Sequence, residues 1–196
     1  LSDDHAASQM VVRNHSSYYL NKLADLGVRS KGSQQLDALH EYKTESKNIT
    51  VAWHSAIHSQ NAIALANVVD GLGTFLEWRS TLNEAIQLYD AANQMLDLLE
   101  PKHSTDLIKV TLSKTHIWLA IFYRLSGQTE KSHEMLERAD EIIEGIHKRL
   151  RNFEDLEISE QELTQVRAFY ALQHGHLQIN IKNCLLYTSD AADDRS

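Results

Sequence analysis

The chain has 196 residues, 42% hydrophobic and 23% charged, with one proline, seven glycines and one cysteine; it is long enough for one domain with its own core and too poor in turn residues for a sheet-rich fold. A formal net charge of -8 repels phosphate backbones, so no nucleic-acid partner is expected for this segment, and no stretch is apolar for long enough to span a bilayer. Cys184 alone excludes an internal disulfide framework and fits the cytoplasm.

Along most of the chain apolar residues recur at alternating spacings of three and four, as they do on helices with one buried face. The opening Leu1-Ser2-Asp3-Asp4-His5 lacks the basic start of a secretory signal, and without an initial Met the chain reads as a piece cut from something longer. A first helix is expected over about 4–27, with Val11, Val12, Tyr18, Tyr19, Leu23 and Leu26 inward and Gly27 as a left-handed cap. A second, over about 33–59, opens after Ser33, carries Leu36, Leu39, Tyr42, Ile49, Ala52, Trp53, Ala56 and Ile57, and is expected to bend or split at Asn48 and Thr50. A third spans about 62–79 behind Asn61 as cap; Ala62 to Leu76 is apolar around nearly its whole girth, which implies cover on both sides.

A fourth helix, over about 81–100, repeats Leu82, Ala85, Ile86, Leu88, Tyr89, Ala92, Met95, Leu96 and Leu99 and is stopped by Pro101. Ser104 or Thr105 caps a fifth over about 105–126, which holds Leu112, Leu119, Ala120, Phe122, Tyr123 and Leu125, and Gly127 turns the chain. A sixth, over about 128–151, places Met135, Leu136, Ala139, Ile142, Ile143, Ile146 and Leu150 on one stripe. A seventh starts near Ser159, with Glu162 at capping-box spacing, and runs on through Val166, Phe169, Tyr170 and Leu172. From Cys184 to Asp194 the sequence resembles a translated sequencing adapter, so 184–196 is set aside as a non-native, disordered tail.

Two units share a spacing. The first reads Leu72-Gly73-x-x-Leu76, then Ala85-x-x-x-Tyr89-x-x-Ala92; the second reads Leu119-Ala120-x-x-Tyr123, then Ser132-x-x-x-Leu136-x-x-Ala139. Both resemble the tetratricopeptide hairpin, whose small residues let two helices approach closely. The family's tryptophan position holds Val69 and His116 here, its proline position Asp97 and Glu144, and the units stand about 47 residues apart against roughly 34 in the family. HEAT-like hairpins are the alternative at that period. The expected fold is all-α, antiparallel helix hairpins stacked as a TPR-like α-solenoid: a helical segment over 1–60 leads into repeats over 61–183, the last one truncated after Gly175-His176-Leu177.

Upstream, His15-Ser16-x-Tyr18-Tyr19-Leu20, Lys31-Gly32-x-x-Gln35 and Glu45-x-x-Asn48-Ile49-x-x-Ala52-Trp53 resemble the segment that opens the helical repeats of bacterial STAND-type signal-transduction ATPases and transcriptional regulators. The resemblance covers roughly residues 10–150. It implies a non-catalytic sensor or scaffold arm, with a nucleotide-binding module upstream in the full-length chain and a protein, a peptide or a small-molecule effector as partner. The chain itself has no G-x-x-x-x-G-K-[ST] loop and no basic recognition helix, and no cofactor is expected.

In tetratricopeptide hairpins the first helix of each unit lines the inner face. Carried over, this puts Asn67, Asp70, Thr74, Glu77 and Trp78 in a groove with Lys114, Ile117, Ile121 and Arg124, a mixture suited to clamping a peptide or small ligand. Asp70-Gly71-Leu72-Gly73 contains a G-x-G but sits mid-helix, where close packing explains it better than a phosphate loop. His54 and His58 stand four apart, and His174 and His176 two apart, without an H-E-x-x-H motif. Alternatives left open are a scaffold of an unrelated multidomain protein and a small metal-dependent helical enzyme.

Overall fold

The computed structural model describes residues 2–152 and 156–193, with side chains described over 10–152 and 156–179. Among these residues there are seven α-helices and no strand: α1 Ser2–Arg29, α2 Gln35–His58, α3 Ala62–Arg79, α4 Leu82–Leu99, α5 Asp106–Leu125, α6 Thr129–Arg151 and α7 Glu160–Asp193. None is long and apolar enough to cross a membrane. The backbone of 184–193 is the end of α7, while the side chains of the 184–196 tail lie outside the described residues.

The helix ends follow from local chemistry. The side chain of Asn61 accepts from the Ala64 amide at 3.0 Å, Thr105 from Ile108 at 3.3 Å, and Ser159 from Glu162 at 3.1 Å; a cap of this kind is worth about 1 kcal/mol. Gly127 turns between α5 and α6 at φ +78. Two expected signals fail. Gln34, not Ser33, precedes α2, and it makes no side-chain cap. Gly27 is not a left-handed cap: α1 runs through it to Arg29. Nor does α2 split, because the Asn48 amide turns outward to Tyr19 Oη at 3.1 Å and Glu45 Oε2 at 2.9 Å rather than competing with its own backbone.

Among the described residues each helix touches only its first and second neighbours in chain order. α1 packs on α2 and α3, α2 on α3 and α4, α3 on α4 and α5, α4 on α5, α5 on α6 and α7, and α6 on α7. Among the described residues α4 and α6 do not meet, though both lie on α5. With four helices around it, α5 is buried on nearly every side, from Ile108 to Tyr123. α3 is likewise covered by α1, α2, α4 and α5, as its apolar girth requires. One core runs from Leu20 to Leu177 across the whole described chain.

Among the described residues α1 is covered only where α2 and α3 pack on it. Leu20, Leu23 and Leu26 are buried, but Val11, Val12 and Tyr18, expected inward, are more than half exposed. Leu36, Leu125 and Leu172 are also exposed, at 78%, 43% and 55%.

Small residues set the helix crossings. A Cβ placed on Gly27 would stand 3.1 Å from the Gly71 Cα, so two glycines let α1 and α3 touch backbone to backbone. Side chains then tie helix to helix through carbonyls that already serve their own helix. Ser16 Oγ donates to Ala52 O at 3.2 Å, Trp53 Nε1 to Leu88 O at 3.0 Å, Ser132 Oγ to Ala120 O at 2.8 Å, and Tyr89 Oη to Val69 O. Aromatic rings continue the seam: Tyr42 stacks on Phe75 at 4.5 Å, and Tyr89 meets Phe122 edge-on at 5.4 Å. On the surface Lys22 pairs with Glu41 at 3.1 Å and with Glu45 at 3.3 Å, bracing α1 on α2.

Candidate functional site

On α3 the spacing of Asn67, Asp70, Thr74 and Glu77 puts them on one flank, and α5 lies beside it. Asp70 is the junction. One carboxylate oxygen pairs with Lys114 Nζ at 3.0 Å and the other accepts from Trp118 Nε1 at 3.2 Å. Thr74 Oγ1 donates to the Asp70 carbonyl at 2.9 Å. With side-chain exposures of 42% for Asp70 and 16% for Lys114, this ion pair is half in solvent and contributes at most about 1 kcal/mol. Its value lies in orientation: it holds a carboxylate and an ammonium at the surface seam of two helices.

Further along α5, Arg124 reaches α7, its Nη2 donating to Gln173 Oε1 at 3.4 Å. The two contacts are separate: Asp70, Thr74 and Lys114 meet where α3 packs on α5, and Arg124 meets Gln173 where α5 packs on α7.

The expected site does not assemble as one groove. Ile117 and Ile121 are 0% and 2% exposed; with four helices packed on α5, neither can line an open surface, and both belong to the core. Asn67 opens instead on a cleft of about 1080 Å³ between α1 and α3, with Ser16, Leu20 and Ile63. Trp78 turns the other way, its ring edge-on to Phe75 at 5.8 Å, and lines a cleft of about 430 Å³ with Leu36, Leu39, Lys43 and Arg79. Glu77 is half-buried between these regions. Asp70, Thr74 and Lys114 stand together at the α3–α5 contact, and Arg124 lies farther along α5 against α7.

Trp118 and Gln173 belong to these contacts and were not singled out from the sequence. A signal for Trp118 did exist. Gly73 leaves a hollow on α3, and a Cβ there would stand 2.3 Å from the Trp118 ring. A glycine in mid-helix costs about 1 kcal/mol relative to alanine, so a large neighbour should be sought opposite it. The G-x-G of α3 is thus a packing device twice over, Gly71 against Gly27 and Gly73 against Trp118.

The histidine pairs form no metal centre: among the described residues no group of three His, Cys, Asp or Glu side chains is placed to hold an ion. His54 and His58 are exposed on α2, and His174 stacks on Tyr170 at 5.8 Å. The histidine that departs from ordinary behaviour is His116, 2% exposed on α5, with burial pushing its pKa down to about 4. Tyr123 Oη donates to Asp90 Oδ2 at 3.5 Å, and burial raises the pKa of both. Comparison with protein-family models, with curated proteins and with solved structures found no match.

Proposed function

We infer that this chain is a non-catalytic binding arm, a tetratricopeptide-like stack of helix hairpins, within a larger STAND-type signalling ATPase or transcriptional regulator. One observation carries the reading: among the described residues every helix meets only its first and second neighbours in chain order, the contact pattern of an array built by repetition. The small residues of the two sequence units support it. Gly73, Ala85, Ala92, Ala120, Ser132 and Ala139 are all buried at helix contacts.

Binding is assigned to the α3–α5 and α5–α7 contacts. Asp70, Thr74 and Lys114 at the α3–α5 contact and Arg124 at the α5–α7 contact supply acid, hydroxyl, ammonium and guanidinium groups, a mixture suited to the backbone and charged side chains of an extended peptide. A partner acts by favouring one packing of the arm over another, in proportion to its difference in affinity for the two.

Selection of a peptide library on the immobilised protein tests the assignment. Enriched peptides should lose at least ten-fold in affinity for the Asp70→Asn/Arg124→Gln double variant, with its helicity and melting unchanged. Equal affinity for both proteins overturns these contacts as the binding surface. Recovery of the coding sequence upstream of Leu1 tests the larger context, where a phosphate-binding loop is expected.

A further inference from the structure

Trp78 is the tryptophan that the core does not enclose. Trp53 and Trp118 are 0% and 5% exposed, and each donates its Nε1 inside the protein, to the Leu88 carbonyl and to Asp70. Trp78 is 38% exposed, and among the described residues its Nε1 has no acceptor. It lines the cleft of about 430 Å³ where the last turn of α3 meets the first half of α2. By their spacing Leu36, Leu39, His40 and Lys43 fall on one face of α2 and supply the other side. An open indole and a leucine at 78% exposure in one cleft leave apolar surface in water.

The α3 side of the cleft is set from beneath. The Trp78 ring meets Phe75 edge-on at 5.8 Å, Phe75 stacks on Tyr42 at 4.5 Å, and the Arg79 guanidinium lies over the Tyr42 ring at 5.9 Å. Phe75 and Tyr42 are 0% and 1% exposed. One buried aromatic pair thus fixes two consecutive residues, an indole and a cation, at the same cleft before any ligand arrives.

The charge of the lining runs against that of the chain. The whole sequence carries -8, yet Lys43 and Arg79 line the cleft and no Asp or Glu does. Among the described residues neither cation has a carboxylate at ion-pair distance. Glu84 acts on the Tyr42 hydroxyl from α4, but it is not part of the lining and forms no ion pair among the described residues. The volume suits one small molecule. A flat apolar platform beside two uncompensated cations calls for a ring that carries an anion.

We propose that the α2–α3 cleft binds a small aromatic acid, its ring against Trp78 and Leu36 and its carboxylate between Lys43 and Arg79. This site involves none of Asp70, Lys114 and Arg124, and it depends neither on the peptide surface nor on the stacked repeats.

The experiment is an NMR titration of the full chain, following the three indole N–H signals. Phenylacetate should shift the Trp78 signal saturably and leave those of Trp53 and Trp118 in place. Phenylacetamide should bind about ten-fold more weakly, and phenethylammonium and acetate should give no response. Lys43→Gln should weaken phenylacetate several-fold, Lys43→Glu should abolish its binding, and Lys43→Arg should keep it. The Lys43 side chain is exposed and has no partner among the described residues, so these variants should melt like the parent. Absence of saturation with phenylacetate, an equal response to phenethylammonium, shifts confined to Trp53 and Trp118, or unchanged affinity in Lys43→Glu overturns the proposal.

Discussion

Gly73 lies flat against the indole of Trp118, so close that a single added methyl would stand 2.3 Å from the ring. Trp118 cannot retreat. It is hemmed in by Phe122 at 5.8 Å and Phe169 at 5.3 Å and tied through its Nε1 to Asp70 at 3.2 Å. Gly73→Ala should therefore destabilise the fold by about 1–3 kcal/mol through overpacking, despite a helix-propensity gain of about 1 kcal/mol. Gly145→Ala, whose Cβ meets nothing within 4 Å, should stabilise by about 0.5–1 kcal/mol. Urea midpoints of the two variants should move in opposite directions.

Asp106 ties three elements together. Its carboxylate is buried at the start of α5, pairs with Arg149 near the end of α6, and accepts from the Glu157 amide at 2.9 Å ahead of α7. Replacing a buried charged acceptor removes both links at once. Asp106→Ala should cost about 2–4 kcal/mol, and amide exchange over 157–163 should speed up before that of α3 or α4. Uniform protection across α7 in the variant would contradict this role.

His116 makes a prediction for acid stability. Its folded-state pKa of about 4 lies below the ordinary 6.5, so between these values the unfolded chain binds the proton and the folded chain does not. Stability must rise with pH across that window and fall as pH drops from about 6.5 towards 4. Taken to pH 4.5 from pH 7, the loss assigned to this ring is about 2–3 kcal/mol. Carboxylates titrate in the same range, so the informative quantity is the difference from His116→Phe, which should lack this part of the acid loss. Identical pH profiles for the two proteins would contradict a neutral buried ring.

The Gly27 and Gly71 pair tests the first crossing. A Cβ at Gly71 would stand 3.2 Å from the Gly27 Cα, and backbone cannot swing aside as a side chain can. Gly71→Ala should force α1 and α3 apart at a cost of about 1–3 kcal/mol, seen in thermal melts as an early loss of the α1 signal.

What could be read from the sequence was what is local. Asn61, Thr105 and Ser159 announce their helices because a cap bond spans three residues, and Gly127 turns where its neighbours end. Gly27 misled because a glycine at a helix crossing looks, in one dimension, like a glycine at a helix end; only Gly71, far along the chain, distinguishes them. Val11, Val12 and Tyr18 had the right period, but periodicity does not say which helix stands last and uncovered. The site divided in the same way. Asp70, Lys114 and Arg124 were legible as polar residues on helical faces, whereas Ile117 and Ile121 went wrong because the family's inner face was carried onto a helix that here has neighbours on four sides.

The claim on which the rest depends is that hairpins stack in chain order, each helix meeting its first and second neighbours. Zero-length carbodiimide cross-linking, mapped by mass spectrometry on the full chain, reads this directly from ion pairs already in place. The predicted products join Lys22 to Glu41 or Glu45, across α1 and α2, and Lys114 to Asp70, across α5 and α3, where the charges stand 3.0 to 3.3 Å apart. A reproducible intramolecular product joining Lys22 of α1 to an acid of α6 or α7 would contradict it.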